Sequence, residues 1–323
     1  MSDYYSIVSE DGVGRIEGDL ASTDGYSILR TLIWFPPADA GEIRGVVQVV
    51  HGMAEHVERY ENFAIALARE GYVVGGADHI GHGKSVSDES QLGHLPLKGG
   101  DDIMVTDAYN FSLVLRGAFP GVPFFLFGHS MGSFIVRRMA EEHSAGMAGV
   151  IVCGTGNQPV GASLAGNVAS RLIARQTNPT YRSKALDNMV MGSMSKAIKN
   201  ARTDYDWLST DPEVVDAYIA DPLAGQMFSV GGYASLTNLT AEVCTKLHAR
   251  HIPADLPMLF IAGDADPVGD CGKGVIDAVK MYRKAGVREV GMILYPGMRH
   301  EILNEIGKEK VYVDVLNWIE DHR

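Results

Sequence analysis

The feature that most limits what this chain can fold into is an apolar run, Pro123–Phe127, that passes directly into Gly128-His129-Ser130-Met131-Gly132 and then into a helical pattern through Ile135 and Met139. A strand that turns straight into a helix forces the residue at the apex into strained backbone angles. Glycines on both flanks remove the Cβ atoms that would collide with neighbouring chain. The Ser130 hydroxyl is then expected to stand out above a sheet, beside a helix N-terminus that favours developing negative charge. A glycine-x-serine-x-glycine string is weak by itself; its seating between strand and helix makes it specific.

The surrounding pattern supplies the sheet. Short apolar runs at Ser27–Phe35, Val46–Val50, Tyr72–Ala77, Pro123–Phe127 and Ala148–Cys153 alternate with helical patterns at about 60–70 and 100–116. That alternation predicts βαβ units and a mostly parallel sheet, its central strands apolar throughout. From about 156 to 252 the rhythm breaks into a helix-like, Met-rich stretch interrupted by Asn178-Pro179, Asp211-Pro212 and Asp221-Pro222. Strands resume at Pro257–Ala262 and Val290–Tyr295, before a closing helix over Val311–Glu320. The expected organisation is therefore a core of residues 1–155 and 253–323, with a helical cap of residues 156–252 inserted between late strands. Open α/β sheets bind ligands at their strand ends, where such a cap would lie.

Serine is a weak nucleophile without a base, and the base needs an acid to orient it. On a strand–turn–helix site the partners follow in the order serine, acid, histidine. Of the eleven histidines, His300 alone lies after a late strand in that order, at the end of Tyr295-Pro296-Gly297-Met298-Arg299-His300. His143, His248, His251 and His322 read as surface or packing residues. For the acid, Asp264, Asp266 and Asp270 compete in the loop after Pro257–Ala262, with Asp266 favoured because Pro267 can fix the turn beyond it. An oxyanion hole would take one backbone N–H from Met131 and another from Met53, in the turn after Val46–Val50.

Two other strings invite different chemistry. His51 and His56 flank a glycine turn, but their spacing lacks a helical register and a third clustered ligand, so metal binding is not expected. Gly81-His82-Gly83-Lys84-Ser85 imitates a phosphate loop, yet the first glycine such a loop requires is replaced by Asp78, which leaves a structural turn.

Composition excludes further classes. A net charge of −12 argues against nucleic acid and against tight docking on anionic membranes, leaving at most transient membrane contact through the cap. Mean hydropathy near zero and 21% charged residues fit a soluble globular protein. Three scattered cysteines, Cys153, Cys244 and Cys271, with no CxxC pair, fit a reducing compartment. No signal-peptide pattern opens the chain, so a cytoplasmic location is expected. Cys271 is the one cysteine near a prospective catalytic loop.

Taken as a set, His51-Gly52-Met53-Ala54-Glu55-His56, Asp78 to Ser85, Gly128 to Gly132, Gly263-Asp264-Ala265-Asp266-Pro267-Val268 and His300-Glu301 resemble the monoacylglycerol lipase and lysophospholipase branch of the α/β-hydrolases, of the serine-aminopeptidase S33 type. Many members carry arginine where Ile80 stands here. The resemblance implies an α/β-hydrolase fold and a Ser130, Asp266, His300 triad, with Asp266 aligned to the family's acid. It also implies hydrolysis of carboxylic esters of acyl lipids through an acyl-enzyme, with no metal or organic cofactor. Within the cap, Met189, Met191, Met194, Met227, Leu164, Leu172, Ile173 and Phe228 are candidates for a lipid-accepting channel. Two alternatives stand beside this reading. One is an aminopeptidase of the same fold, holding a substrate ammonium with Asp204, Asp206, Asp211, Glu213 or Asp216. The other is a non-catalytic binding protein built on this fold.

Overall fold

The computed structural model describes residues 4–323. Among the described residues, nine strands form one sheet: β1 (Tyr4–Ile7), β2 (Gly14–Ala21), β3 (Ile28–Phe35), β4 (Gly45–Val50), β5 (Tyr72–Ala77), β6 (Phe124–His129), β7 (Gly149–Cys153), β8 (Met258–Gly263) and β9 (Val290–Tyr295). Their spatial order is β1-β2-β3-β5-β4-β6-β7-β8-β9. The pairs from β5 through β9 are parallel, while β1, β2 and β3 add an antiparallel edge on the β5 side.

The period of two along each central strand divides its side chains between two cores. Val46 and Val50 of β4, with Phe124 and Leu126 of β6, face one core; Val47 and Val49, with Phe125 and Phe127, face the other. On the first face lie α2 (Gly100–Ala118), α3 (Met131–Glu142) and α10 (Lys273–Ala285), through residues such as Phe111, Ile135 and Tyr282. On the second lie α1 (Glu61–Arg69) and α11 (Lys308–Asp321), through Phe63, Leu67 and Val315. Covering both faces explains why the central strands read as continuous apolar runs; each buried Leu, Val or Phe contributes roughly 1.5–3 kcal/mol. Gln48, a polar residue within β4, is tolerated because its side chain donates to Ala108 O at 2.8 Å and accepts from Ser112 Oγ at 2.6 Å.

Strands β1 and β2 carry no apolar run because they sit at the sheet edge; β2, Gly-Arg-Ile-Glu-Gly-Asp-Leu-Ala, is mostly half-exposed. The amphipathic α10 is likewise absent from the sequence reading, which moves directly from one late strand to the next.

Between β7 and β8 the chain forms α4 (Val160–Gln176), α5 (Lys184–Val190), α6 (Gly192–Ala197), α7 (Pro212–Ala220), α8 (Val230–Val243) and α9 (Lys246–Ala249), with no strand. Pro212 opens α7 at its first turn with Asp211 as cap, its side chain accepting from Glu213 N. Helix α8 joins the first core through Val230, Tyr233 and Leu239, and α4 packs on α8. Because β4 through β9 run parallel, the loops after them open on one edge of the sheet, beneath this helical segment. Among the described residues, no helix is long and apolar enough to cross a membrane.

Candidate active site

The turn from β6 into α3 has the conformation its sequence dictates. Ser130 takes φ 53° and ψ −119°, a strained position for a residue with a Cβ. Its N–H donates to Cys153 O at 3.0 Å, which carries the β6–β7 ladder one residue past the strand. A Cβ on Gly128 would lie 2.4 Å from Gly132 O, and one on Gly132 would lie 2.0 Å from Val50 O. Neither distance is tolerable, so the flanking glycines are what let strand, turn and helix close together. Ser130 is half-exposed between the buried His129 and Met131.

Of the three competing acids, only Asp266 meets His300. Its Oδ2 lies 2.9 Å from His300 Nδ1, and its Oδ1 accepts the Val268 N–H at 2.8 Å. Asp264 instead receives the Gly297 N–H at 2.7 Å, and Asp270 is exposed with φ 50°. Asp266 and His300 are both buried. With Nδ1 bonded to Asp266, His300 has Nε2 left to take a proton. Burial works against the charged imidazole, but Asp266, aided by Glu301 and Glu55, outweighs it and raises the pKa. His129 is driven the other way, first by burial and then by His300, and stays neutral.

Ser130 and His300 line one cavity of about 430 Å³. No hydrogen bond between Ser130 Oγ and His300 is present in this structure; such contacts are often long without substrate. Met53 and Met131 line the same cavity, and neither backbone N–H has an acceptor among the described residues. Met131 N–H is the first donor of α3 and so has no partner within the helix.

The 156–252 segment supplies the other wall, through Gly166, Met189, Met191, Met194, Trp207 and Leu236 among others. Three of the four expected methionines are therefore on the cavity. Met227, Leu164, Leu172, Ile173 and Phe228 are not. Leu164 and Leu172 fall on the outer side of α4, each about half exposed, and Phe228 is fully buried against His82 and Tyr233. Helical periodicity without knowledge of the packing partner could not separate the faces of α4, and Met227 and Phe228 lie outside the helices, just before α8. None of Asp204, Asp206, Asp211, Glu213 and Asp216 reaches the cavity either.

The acids that do reach it, Glu55 and Glu301, belong to a buried cluster that sequence reasoning missed. Arg59 donates to both Glu301 oxygens at 2.7 Å and to Glu55 at 3.0 Å, and lies 4.7 Å above the Tyr218 ring. Glu55 also accepts from Gly52 N–H and from Tyr60 Oη. Burial raises the pKa of Glu55; for Glu301 burial also pushes upward, but Arg59 overcomes it and the pKa falls. No helical spacing signalled the pairing of Glu55 with Arg59, because Glu55 precedes the first helical turn at Val57–Tyr60.

Most of the remaining histidines have structural partners, while His251 is exposed. His51 Nε2 accepts His79 N–H at 3.0 Å and its Nδ1 lies 2.8 Å from Gly52 O, while His56 Nε2 meets Asp221 at 2.8 Å. His143 stacks on Tyr109, His248 meets Glu141, and His322 meets Glu289. The loop 81–85 is a turn tied by Asp78, whose side chain accepts Lys84 N–H and whose carbonyl accepts Ser85 Oγ.

Comparison with known proteins identifies the family. The family described as Serine aminopeptidase, S33 matches residues 41–307. The chain is 28% identical to the monoacylglycerol lipase of Mycolicibacterium smegmatis, over 95% of this chain and 98% of that protein. It is 26% identical to human monoglyceride lipase, over 93% and 89% of the two chains. Among solved structures, a thermostable carboxyl esterase from Bacillus coagulans in complex with glycerol superposes with a TM-score of 0.88 at 30% identity, covering 95% of this chain and 98% of that one. A family match across most of the length, on this sheet order and this strand–turn–helix, means that the chain belongs to the serine aminopeptidase S33 family of α/β-hydrolases.

Proposed function

We propose that this protein is a serine hydrolase of carboxylic esters, acting on acyl lipids of the monoacylglycerol or lysophospholipid type. Residues 156–252 serve as its cap. Ser130 is the nucleophile, His300 the general base and Asp266 the acid that orients it. The observation that carries the reading is the buried Asp266–His300 pair on the same apolar-walled cavity as the strained Ser130 turn.

In this mechanism Ser130 Oγ attacks the ester carbonyl and gives its proton to His300 Nε2. The Met53 and Met131 N–H groups hold the oxyanion, each such donor being typically worth about 2.7–4 kcal/mol. The imidazolium then protonates the leaving alcohol, and an acyl group remains on Ser130. His300 next activates a water that releases the carboxylic acid. Methionines 189, 191 and 194 offer the acyl chain an adaptable apolar wall. The names of the monoacylglycerol lipase relatives and the esterase neighbour support the same substrate class.

The cavity disfavours the aminopeptidase alternative. A substrate ammonium needs a free carboxylate, and the cavity acids Glu55 and Glu301 are both engaged by Arg59. The test is turnover of monoacylglycerols of graded chain length beside proline anilides, with wild type and Ser130→Ala. Acyl glycerols should be cleaved, with loss on the order of 10⁶ in the variant. Cleavage of the anilides without the glycerides would reverse the assignment. Equal turnover of acetyl and long-chain esters would remove the lipid channel.

A further inference from the structure

The inserted segment does more than roof the cavity, because part of it is docked on the loop that carries His300. Trp207 O accepts the His300 N–H at 3.4 Å, and Leu208 O accepts the Glu301 N–H at 2.7 Å. Glu305 receives the Thr210 N–H at 2.9 Å, and Arg299 donates to Ser209 O at 2.9 Å. The docked stretch is short, polar in its backbone bonds and well packed: Trp207 and Leu208 cluster with Tyr218 and Ala224, and Trp207 is only 6% exposed. This fixes the indole 5.1 Å from the His300 ring, centroid to centroid, at 43°. On the core side His129 lies 4.7 Å from the same ring.

We infer that Trp207 is a positioning residue for proton transfer: the inserted segment supplies the aromatic neighbour that fixes the His300 imidazole and stabilises its protonated form. The inference rests on His300 being the base. A cation within about 6 Å of an indole is attracted by the ring quadrupole, more strongly where water is excluded. Above the His300 midpoint the charge exists only after Ser130 has given up its proton, so the contact strengthens as the reaction proceeds. The other groups that face His300 are Asp266 from the β8 loop, Glu55 from the β4 loop, Glu301 beside it and the neutral His129 from β6. Both glutamates are tied to Arg59 and Asp266 lies at Nδ1, so the indole is an uncharged contact added to a fixed set of charges. Displacing the docked stretch would leave Ser130 in place while removing a neighbour of its base. Cap position would thereby bear on turnover as well as on binding.

The test combines kinetics with fluorescence. With p-nitrophenyl acetate, whose acyl group does not need the apolar wall, Trp207→Leu should lower kcat by about tenfold, with KM changed less than about threefold. The acid limb of kcat/KM should move down by about half a pH unit. Trp207→Phe, which keeps an aromatic face, should retain most of the rate and the limb. A rise in KM alone, an unmoved limb or an upward shift would overturn the inference, since those mark a channel wall or a water barrier. Protonated imidazole quenches indole emission, so the wild-type minus Trp207→Phe difference should titrate at the midpoint of the acid limb. Subtraction removes Trp318, which lies 4.3 Å from His322. The same midpoint should fall in Asp266→Asn. If Trp207→Leu does not fold, absence of that titration still overturns the inference. If wild type cleaves no ester, the proposed function fails, while the titration continues to report whether Trp207 senses His300.

Discussion

The proposed chemistry depends on one backbone angle at Ser130 and one hydrogen bond at His300. The positive φ of Ser130 lifts its side chain out of the β6–α3 turn, and Asp266 holds the imidazole with Nε2 free. Asp266 also raises the His300 pKa against the opposing effect of burial, so the imidazole is neutral only above an elevated midpoint. Activity should therefore rise with pH through a midpoint above 6.5, the ordinary histidine value. Asp266→Asn removes the raising charge, so the limb should shift to lower pH while kcat falls by about 10⁴ through loss of the correct tautomer. A pH–rate profile of the two proteins checks both; an acid limb unmoved by the substitution would mean that another group titrates. At this scale much of the proposed site was legible. Glycine spacing and chain order pointed to Ser130 and His300, because both depend on local backbone geometry. Choosing Asp266 over Asp264 and Asp270 needed family alignment, since three acids in one loop differ only in where the loop aims them. Glu301 as the partner of Arg59 was beyond local reasoning, because the two meet across 242 positions of chain.

At the scale of elements, the parallel strands were legible because helices cover both sheet faces and leave an apolar signature. The edge strands β1 and β2 were not, because an edge needs no such run. Helix α3 has a feature unrelated to the turn that begins it. Arg137 is fully buried on α3 and donates to Tyr282 Oη at 2.8 Å, Gly156 O at 3.0 Å and Val243 O at 2.8 Å, which ties both ends of the inserted segment to the core. One turn on, Glu141 has one buried oxygen without a partner and the other 3.0 Å from His248 Nδ1. Burial raises its pKa from 4.5 to about 8, with Arg137 opposing. Between those values the folded state binds a proton that the unfolded chain has released, so this residue makes stability fall as pH rises through the window. Glu141→Gln should leave stability near pH 5 little changed and raise it at pH 9 by on the order of 1–3 kcal/mol. Denaturant melts at the two pH values test this, and equal effects at both would show that Glu141 is ionised throughout.

At the scale of the whole molecule, the candidate site is assembled from the ends of four parallel strands and from the segment inserted between two of them. Met53 follows β4, Ser130 follows β6, Asp266 follows β8 and His300 follows β9, while Trp207 and the methionines come from between β7 and β8. The proposed bounds of the insertion rest on the strand rhythm, which stops after β7 and resumes at β8. The sequence did not show which side of α4 meets the core, and so it misplaced Leu164 and Leu172; Met227 and Phe228 lie in the stretch before α8, whose course no periodicity reports. Everything in the proposed mechanism passes through Ser130, and covalent labelling addresses that residue without assuming a substrate. Wild type and Ser130→Ala should be treated with a fluorophosphonate and examined by intact mass and peptide mapping. The account predicts one adduct per wild-type chain, located on Ser130, and none on the folded variant. An adduct elsewhere, or labelling of Ser130→Ala at the wild-type rate, would contradict it.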